Sequence, residues 1–115
     1  MGVLEQFDYK DFNSRMGENA ELMALVASEY LRESAEIMAL LDASVKRMDF
    51  DQVRSVAHRL KGASAEVSAQ SLSDLAKQLE SSAKANDEAQ VLSYMRVLKE
   101  AYKTLLLEIQ QTLAL

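Results

Sequence analysis

The 115-residue chain has no cysteine, no proline and no tryptophan, and only three glycines and one histidine. Without cysteine there is no disulfide framework, no thiolate nucleophile and no cysteine-ligated zinc or iron–sulfur centre. One histidine cannot supply a multi-histidine metal site or a paired relay. The absence of proline, with glycine only at Gly2, Gly17 and Gly62, leaves little material for the tight turns of a sandwich or barrel. No apolar run approaches the roughly 20 residues of a membrane span. The opening Met1-Gly2-Val3-Leu4-Glu5-Gln6 lacks the basic and then apolar regions of a secretory signal. Positive charge is also in deficit, 13 Lys and Arg against 18 Asp and Glu, for a net charge of −5. That balance opposes binding to nucleic-acid phosphates or anionic membranes. The remaining composition, 49% apolar and 27% charged, is that of an ordinary globular protein. An all-α, soluble, cytoplasmic chain forming one domain over residues 1–115 is expected.

Helix signals punctuate the chain. Asp8 has the short acceptor of an N-cap, and Phe7 and Phe12 stand at the two positions of a hydrophobic staple. This first helix should run to about Met16 and stop at Gly17. Asn19 can cap a second helix with apolar positions Leu22, Leu25, Val26, Tyr30, Ile37, Leu40, Leu41, Val45 and Met48. Its stripe skips a turn around Arg32, Glu33 and Ser34, where a bend is expected. Asp49 with Gln52 forms a capping-box-like pair at the start of a third helix, and Met48 with Val53 repeats the staple. A fourth helix buries Leu72, Leu75, Ala76 and Leu79; a fifth, capped by Asn86, carries Val91, Met95, Leu98, Tyr102, Leu105 and Ile109. That alternation of four and three suits helices packed at a shallow angle. With short breaks at 17–19, 68–71 and 84–87, it predicts an antiparallel four-helix bundle with a short additional N-terminal helix.

One site departs from the pattern. On a wheel of about 100° per residue centred on Val53, the residues Val56, Ala57, Leu60, Ser64 and Val67 share the core side. His58 falls about 140° away, with Arg54, Lys61, Gly62, Ser55 and Ala65 around it. The sole histidine is therefore expected to be exposed, among two cations and small residues. Gly62 lies inside the helix on this outer face, where glycine costs about 1 kcal/mol relative to alanine. Access explains it: without a Cβ there, another surface can approach the imidazole closely. An exposed imidazole is a usable nucleophile near neutral pH, and cations one turn away would stabilise a dianionic group attached to it. The chemistry indicated is phosphoryl acceptance.

The stretch Ala57-His58-Arg59-Leu60-Lys61-Gly62-Ala63-Ser64 resembles the signature of histidine-containing phosphotransfer (Hpt) domains, His-x-x-Lys-Gly. The Phe7-Asp8 opening, the Asp49 start of the third helix and Leu72…Leu75…Leu79-Glu80 resemble the same family, so the likeness covers nearly the whole chain. It implies an intermediate in a two-component phosphorelay, taking a phosphoryl group from one receiver-domain aspartyl-phosphate and passing it to another receiver. The partners implied are receiver domains of hybrid sensor kinases and of response regulators. His58 would be the nucleophile through Nε2, Lys61 would neutralise phosphoryl oxygens, and Gly62 would admit the receiver. Glu80 matches a position often holding glutamine or an acidic side chain that reaches the imidazole from the next helix. Arg54, read from the wheel alone, would help phosphate or acidic receiver residues dock. The chain departs from the family at Ser68, where glycine is usual, and serine is expected to cap the next helix instead.

No phosphate-binding glycine loop marks the chain as a kinase, and no cofactor or metal of its own is expected; Mg²⁺ would belong to the receiver. A kinase dimerisation domain also exposes a histidine on a bundle, but Arg-Leu-Lys-Gly follows His58 here instead of an Arg-x-Pro-like stretch. The alternative from another class is a non-catalytic helical adaptor with an incidental histidine. Phe12, Met16 and Leu22 are candidates for a partner-docking patch beside His58, though packing on the bundle is an equal explanation for them. A free-standing monomer is expected.

Overall fold

The computed structural model describes residues 6–115 and contains five α-helices and no strand among them. Residues 1–5, which bear on the absence of a signal segment, lie outside the described ones. The helices are α1 (Tyr9–Arg15), α2 (Ala20–Lys46), α3 (Phe50–Glu66), α4 (Gln70–Lys84) and α5 (Glu88–Leu113). The four long helices pack in a ring, α2 on α3, α3 on α4, α4 on α5 and α5 back on α2. Three-residue connections make sequential neighbours antiparallel, giving the four-helix bundle with a short extra helix.

The N-termini are capped by the residues whose chemistry suits the task. Asp8, Asn19 and Asp49 each accept a hydrogen bond from the backbone N–H three residues on. Phe7 and Phe12 meet as a staple, with ring centroids 5.6 Å apart. For α5 the cap is Asp87, not Asn86: Asp87 Oδ1 accepts from Gln90 N, while Asn86 takes a left-handed backbone with φ 54°. Asparagine tolerates that conformation well, so Asn86 ends the preceding turn and leaves capping to its neighbour.

The helix ends share one plan. Asp49, Ala69 and Asp87 donate their backbone N–H to the carbonyls of Ser44, Ser64 and Ser82, while Met48, Ser68 and Asn86 donate to Val45, Ala65 and Ala83. The residue between the helices is left-handed each time, with φ 56°, 58° and 54°. After α1 the same plan uses Gly17, φ 65°, bonded to Ser14 O. Scarce glycine therefore did not prevent helix turns; other residues carry the strain, about 1–2 kcal/mol per non-glycine position before local compensation.

Ser68 shows such compensation. It does not cap α4, whose N-cap Ala69 has no side-chain bond. Its hydroxyl instead donates to Asp11 Oδ2 (2.6 Å) and accepts from Arg15 Nη1 (2.9 Å), both on α1. Arg15 Nη1 also donates to Ala65 O (3.0 Å), placing a cation at the carbonyl end of α3. Glu108 of α5 accepts from the backbone N–H groups of Gln6 and Phe7 (2.9 and 2.8 Å). The N-terminal segment is thus tied to the bundle at both ends.

The buried face of α3 follows the expected stripe, with Val53, Val56, Ala57, Leu60, Ser64 and Val67 inside. On α5 the stripe holds except that Ala101 is buried and Tyr102 half-buried, and on α4 Leu75 is half-buried where a core residue was expected. Helix α2 departs from its stripe. It is continuous through Ser34, and its inner face is Met23, Ala27, Tyr30, Ser34, Ile37, Leu41, Ser44 and Val45. Leu22, Leu25, Leu40 and Met48, expected inside, are exposed. Two buried serines take the core positions that a search for large apolar residues passes over. Ser34 Oγ bonds Tyr102 Oη (2.8 Å), and Ser44 Oγ donates to the Leu40 carbonyl (2.8 Å). With their polar atoms satisfied, these small side chains let the helices approach closely.

Candidate functional site

The antiparallel pairing of α3 and α4 assembles the site. His58 and Glu80 lie equally far from Ala69 along the chain, on opposite sides of the turn. Two antiparallel helices joined there bring such positions level. Ser73 of α4, buried, donates to the Lys61 carbonyl (2.9 Å) and locks the register of the pair beside the site. No motif marked Ser73; its position on the buried face of α4 was the signal available.

His58 projects from α3 with 64% of its side chain exposed, while Ala57 and Leu60 beside it in sequence are buried. Its Nδ1 lies 3.0 Å from Glu80 Oε2. Lys61 Nζ lies 3.3 Å from the other oxygen of the same carboxylate, Oε1. Burial opposes ionisation of Glu80, yet the hydrogen bonds from Lys61 and His58, and their charges, hold its carboxyl below the usual carboxylate range. An ionised carboxylate can only accept, so His58 Nδ1 carries the proton and donates it. In the neutral ring, Nε2 then keeps its lone pair. The arrangement is a nucleophilic nitrogen oriented by a carboxylate from the adjacent helix, with an ammonium one turn away.

Gly62 is exposed, and a Cβ built on it would have no atom within 4 Å. Bundle packing therefore does not require glycine there. Arg54 and Ser55 are exposed on the same helix, and Ala65 is half-buried with its carbonyl bonded to Arg15. Among the described residues there is no group of three His, Cys, Asp or Glu side chains able to hold a metal ion. No helix among them is long and apolar enough to cross a membrane.

A model of the Hpt domain matches residues 26–113. The chain belongs to the Hpt family. No curated protein and no solved structure matches it. Hpt domains are phosphocarrier modules of histidine phosphotransfer in two-component systems, distinct from the kinases, and they interact with receiver domains. The match begins inside α2, so α1, whose Asp11 and Arg15 bond Ser68 and Ala65, and the preceding Gln6 and Phe7, which bond Glu108, lie outside the matched stretch.

The three residues expected on α1 and α2 as a docking patch are not brought together as one exposed surface. Phe12 is fully buried against Phe7 and belongs to the core. Met16 is half-buried against that core, and Leu22 is exposed. One apolar feature of this Hpt domain, formed by other residues than the three expected, is a pocket. Leu25, Val26, Tyr30 and Ala63 line a pocket of about 300 Å³ between α2 and α3, edged by Glu29, Glu33 and Glu66. Leu25, assigned to the core by its spacing, is 69% exposed at its rim.

Proposed function

We propose that this Hpt chain is a phosphorelay intermediate that works through His58, in the cytoplasm and as a monomer. The observation that carries the reading is the division of labour on one imidazole. Nδ1 is engaged by Glu80 on the bundle side, which leaves Nε2 to the open face beside Lys61 and Gly62.

In the forward step the Nε2 lone pair attacks the phosphorus of a receiver aspartyl-phosphate. The aspartate carboxylate leaves with the electrons of the P–O bond. Lys61 then offers its ammonium to the phosphoryl oxygens, and Arg54, one turn before, adds positive charge to the same face. Onward transfer reverses the roles: an aspartate of the second receiver attacks phosphorus, and the N–P electron pair returns to Nε2. The chain needs no metal for this; Mg²⁺ is supplied by the receiver. The absent side chain at Gly62 leaves room for the receiver's active site to reach the imidazole.

Incubation with a phosphorylated receiver and Mg²⁺ tests the reading. The chain should acquire an acid-labile, base-stable phosphate, and His58→Gln should acquire none. Equal labelling of the variant, or no labelling from any receiver, would leave the helical adaptor as the better account.

A further inference from the structure

The pocket between α2 and α3 is apolar inside and acidic at its edge. Leu25, Val26, Tyr30 and Ala63 line it, and the Tyr30 hydroxyl is already bonded to Ser64 Oγ (2.9 Å). An entering group therefore meets hydrocarbon, and polar recognition is left to the rim. Of the three rim glutamates, Glu29 is held by Arg32, whose Nε lies 3.0 Å from its carboxylate. Glu33 and Glu66 make no ion pair or side-chain hydrogen bond among the described residues. We infer that Glu33 and Glu66 are specificity-determining residues, selecting receivers that present an apolar side chain flanked by Lys or Arg over receivers with an acidic flank. The inference rests on the phosphocarrier reading above.

Helical spacing joins the pocket to the histidine. His58, Gly62 and Glu66 follow one another at intervals of four, so they form one ridge on the outer face of α3, and all three are exposed. Glu66 stands about 12 Å beyond His58 along the helix axis, at 1.5 Å per residue. Ala63, between them in sequence, turns from that ridge into the pocket. A stable protein–protein contact covers about 800 Å² on each partner, a patch roughly 30 Å across. A receiver seated over Gly62 to reach the imidazole therefore covers Glu66 and the pocket mouth as well. The occupant of the pocket is thus a side chain of the receiver.

The ridge separates charge of two signs. Lys61, on the α4 side, and Arg54, one turn before His58, offer positive charge to the phosphoryl group. On the α2 side the sign changes, with Glu33 and Glu66 at the rim. Arg59, one turn before Ala63, is an exposed cation of α3 on this side, and it pairs with neither carboxylate. A receiver Lys or Arg beside the inserted apolar side chain would be attracted to these carboxylates, and a Glu or Asp there would be repelled. Complementary charge at an interface rim acts mainly on encounter rate and on rejection of wrong partners. The two glutamates therefore choose among receivers and leave the chemistry at His58 unchanged.

The test compares the full chain with its double variant Glu33→Lys/Glu66→Lys as acceptors from a set of receiver domains phosphorylated with acetyl phosphate and Mg²⁺. Receivers with Lys or Arg beside an exposed apolar side chain near the phosphorylated aspartate should transfer to the variant about tenfold more slowly, in second-order rate, than to the wild type. Replacing that receiver Lys or Arg by Glu should restore transfer to the variant. Glu33→Gln/Glu66→Gln should lose less, and added salt should narrow every difference. Direct labelling of His58 with potassium phosphoramidate, which requires no docking, should be the same in all variants. Unchanged receiver preference in the charge-reversed chain overturns the inference and leaves the phosphocarrier reading intact. So does a loss that neither salt nor the charge-swapped receiver alters. Failure of the wild-type chain to carry phosphate, from phosphoramidate or from any phosphorylated receiver, overturns that reading and the inference together.

Discussion

Helix α3 carries two polar clusters on opposite faces, and they are built to opposite rules. Inside, Ser64 Oγ and Tyr30 Oη share a hydrogen bond of 2.9 Å, and nearby Ser34 pairs with Tyr102. These groups are neutral; burial pushes the Tyr30 phenol well above its ordinary range, the Ser64 hydrogen bond only partly opposing it. Outside, His58, Lys61 and Glu80 carry or exchange full charges, and one ring nitrogen faces away from the carboxylate that holds the other. The inner cluster closes on itself, so it fixes how α2, α3 and α5 meet. The outer one leaves a valence open, so it can react. Charge at the surface costs little desolvation, whereas the same charges in the core would cost several kcal/mol each, about the size of the whole folding stability.

Substitutions can break either side separately. The largest effect is expected from His58→Gln, which should abolish phosphoryl acceptance while changing stability by less than about 0.5 kcal/mol, as for an exposed site. Gly62→Gln should slow transfer from a receiver by about tenfold or more through misplacement of the reacting atoms, with an unchanged circular dichroism spectrum. A variant that unfolds would instead make Gly62 structural. On the inner face, Tyr30→Phe strands the Ser64 hydroxyl and should cost about 1–3 kcal/mol in denaturant unfolding, with transfer intact.

The same phenol gives a pH signature. An unfolded tyrosine releases its proton near pH 10, but folded Tyr30 holds it to higher pH. Its contribution is therefore complete below about pH 10, where the unfolded phenol begins to ionise, and is lost as pH rises from there through the higher folded value, so Tyr30→Phe should flatten the alkaline decline in melting temperature. The smallest effect should come from Gly62→Ala. With open space around the new Cβ, it should stabilise the helix by about 0.5–1 kcal/mol, measured by urea unfolding.

How much of this was legible in the sequence depended on whether the cause was local. The caps at Asp8, Asn19 and Asp49 are set by the side chain and three backbone amides, and they stand where the residues put them. The exposure of His58 followed from helical period alone. The inner face of α2 did not, because Ser34 becomes a core residue only through Tyr102, 68 positions away. Ser68 is similar: its hydroxyl is satisfied by Asp11 and Arg15 of α1, partners that no local rule for serine after a helix would select. Phe12 was legible as a staple and also as a docking candidate, and ring contact with Phe7 decides for the staple. Asn86 read locally as the cap of α5, but its left-handed backbone ends the preceding turn and leaves the cap to Asp87. At the site itself, the reach of Glu80 to the imidazole was implied by resemblance. Its second bond, to Lys61, required the two helices in register.

The most direct test is the position of the phosphate on the ring. Phosphorus–proton correlation NMR on the chain labelled by a phosphorylated receiver distinguishes Nε2-phosphohistidine from the Nδ1 isomer. With Nδ1 held by Glu80, the phosphate should be on Nε2 of His58. Phosphate on Nδ1, or on any residue other than His58, would contradict the account.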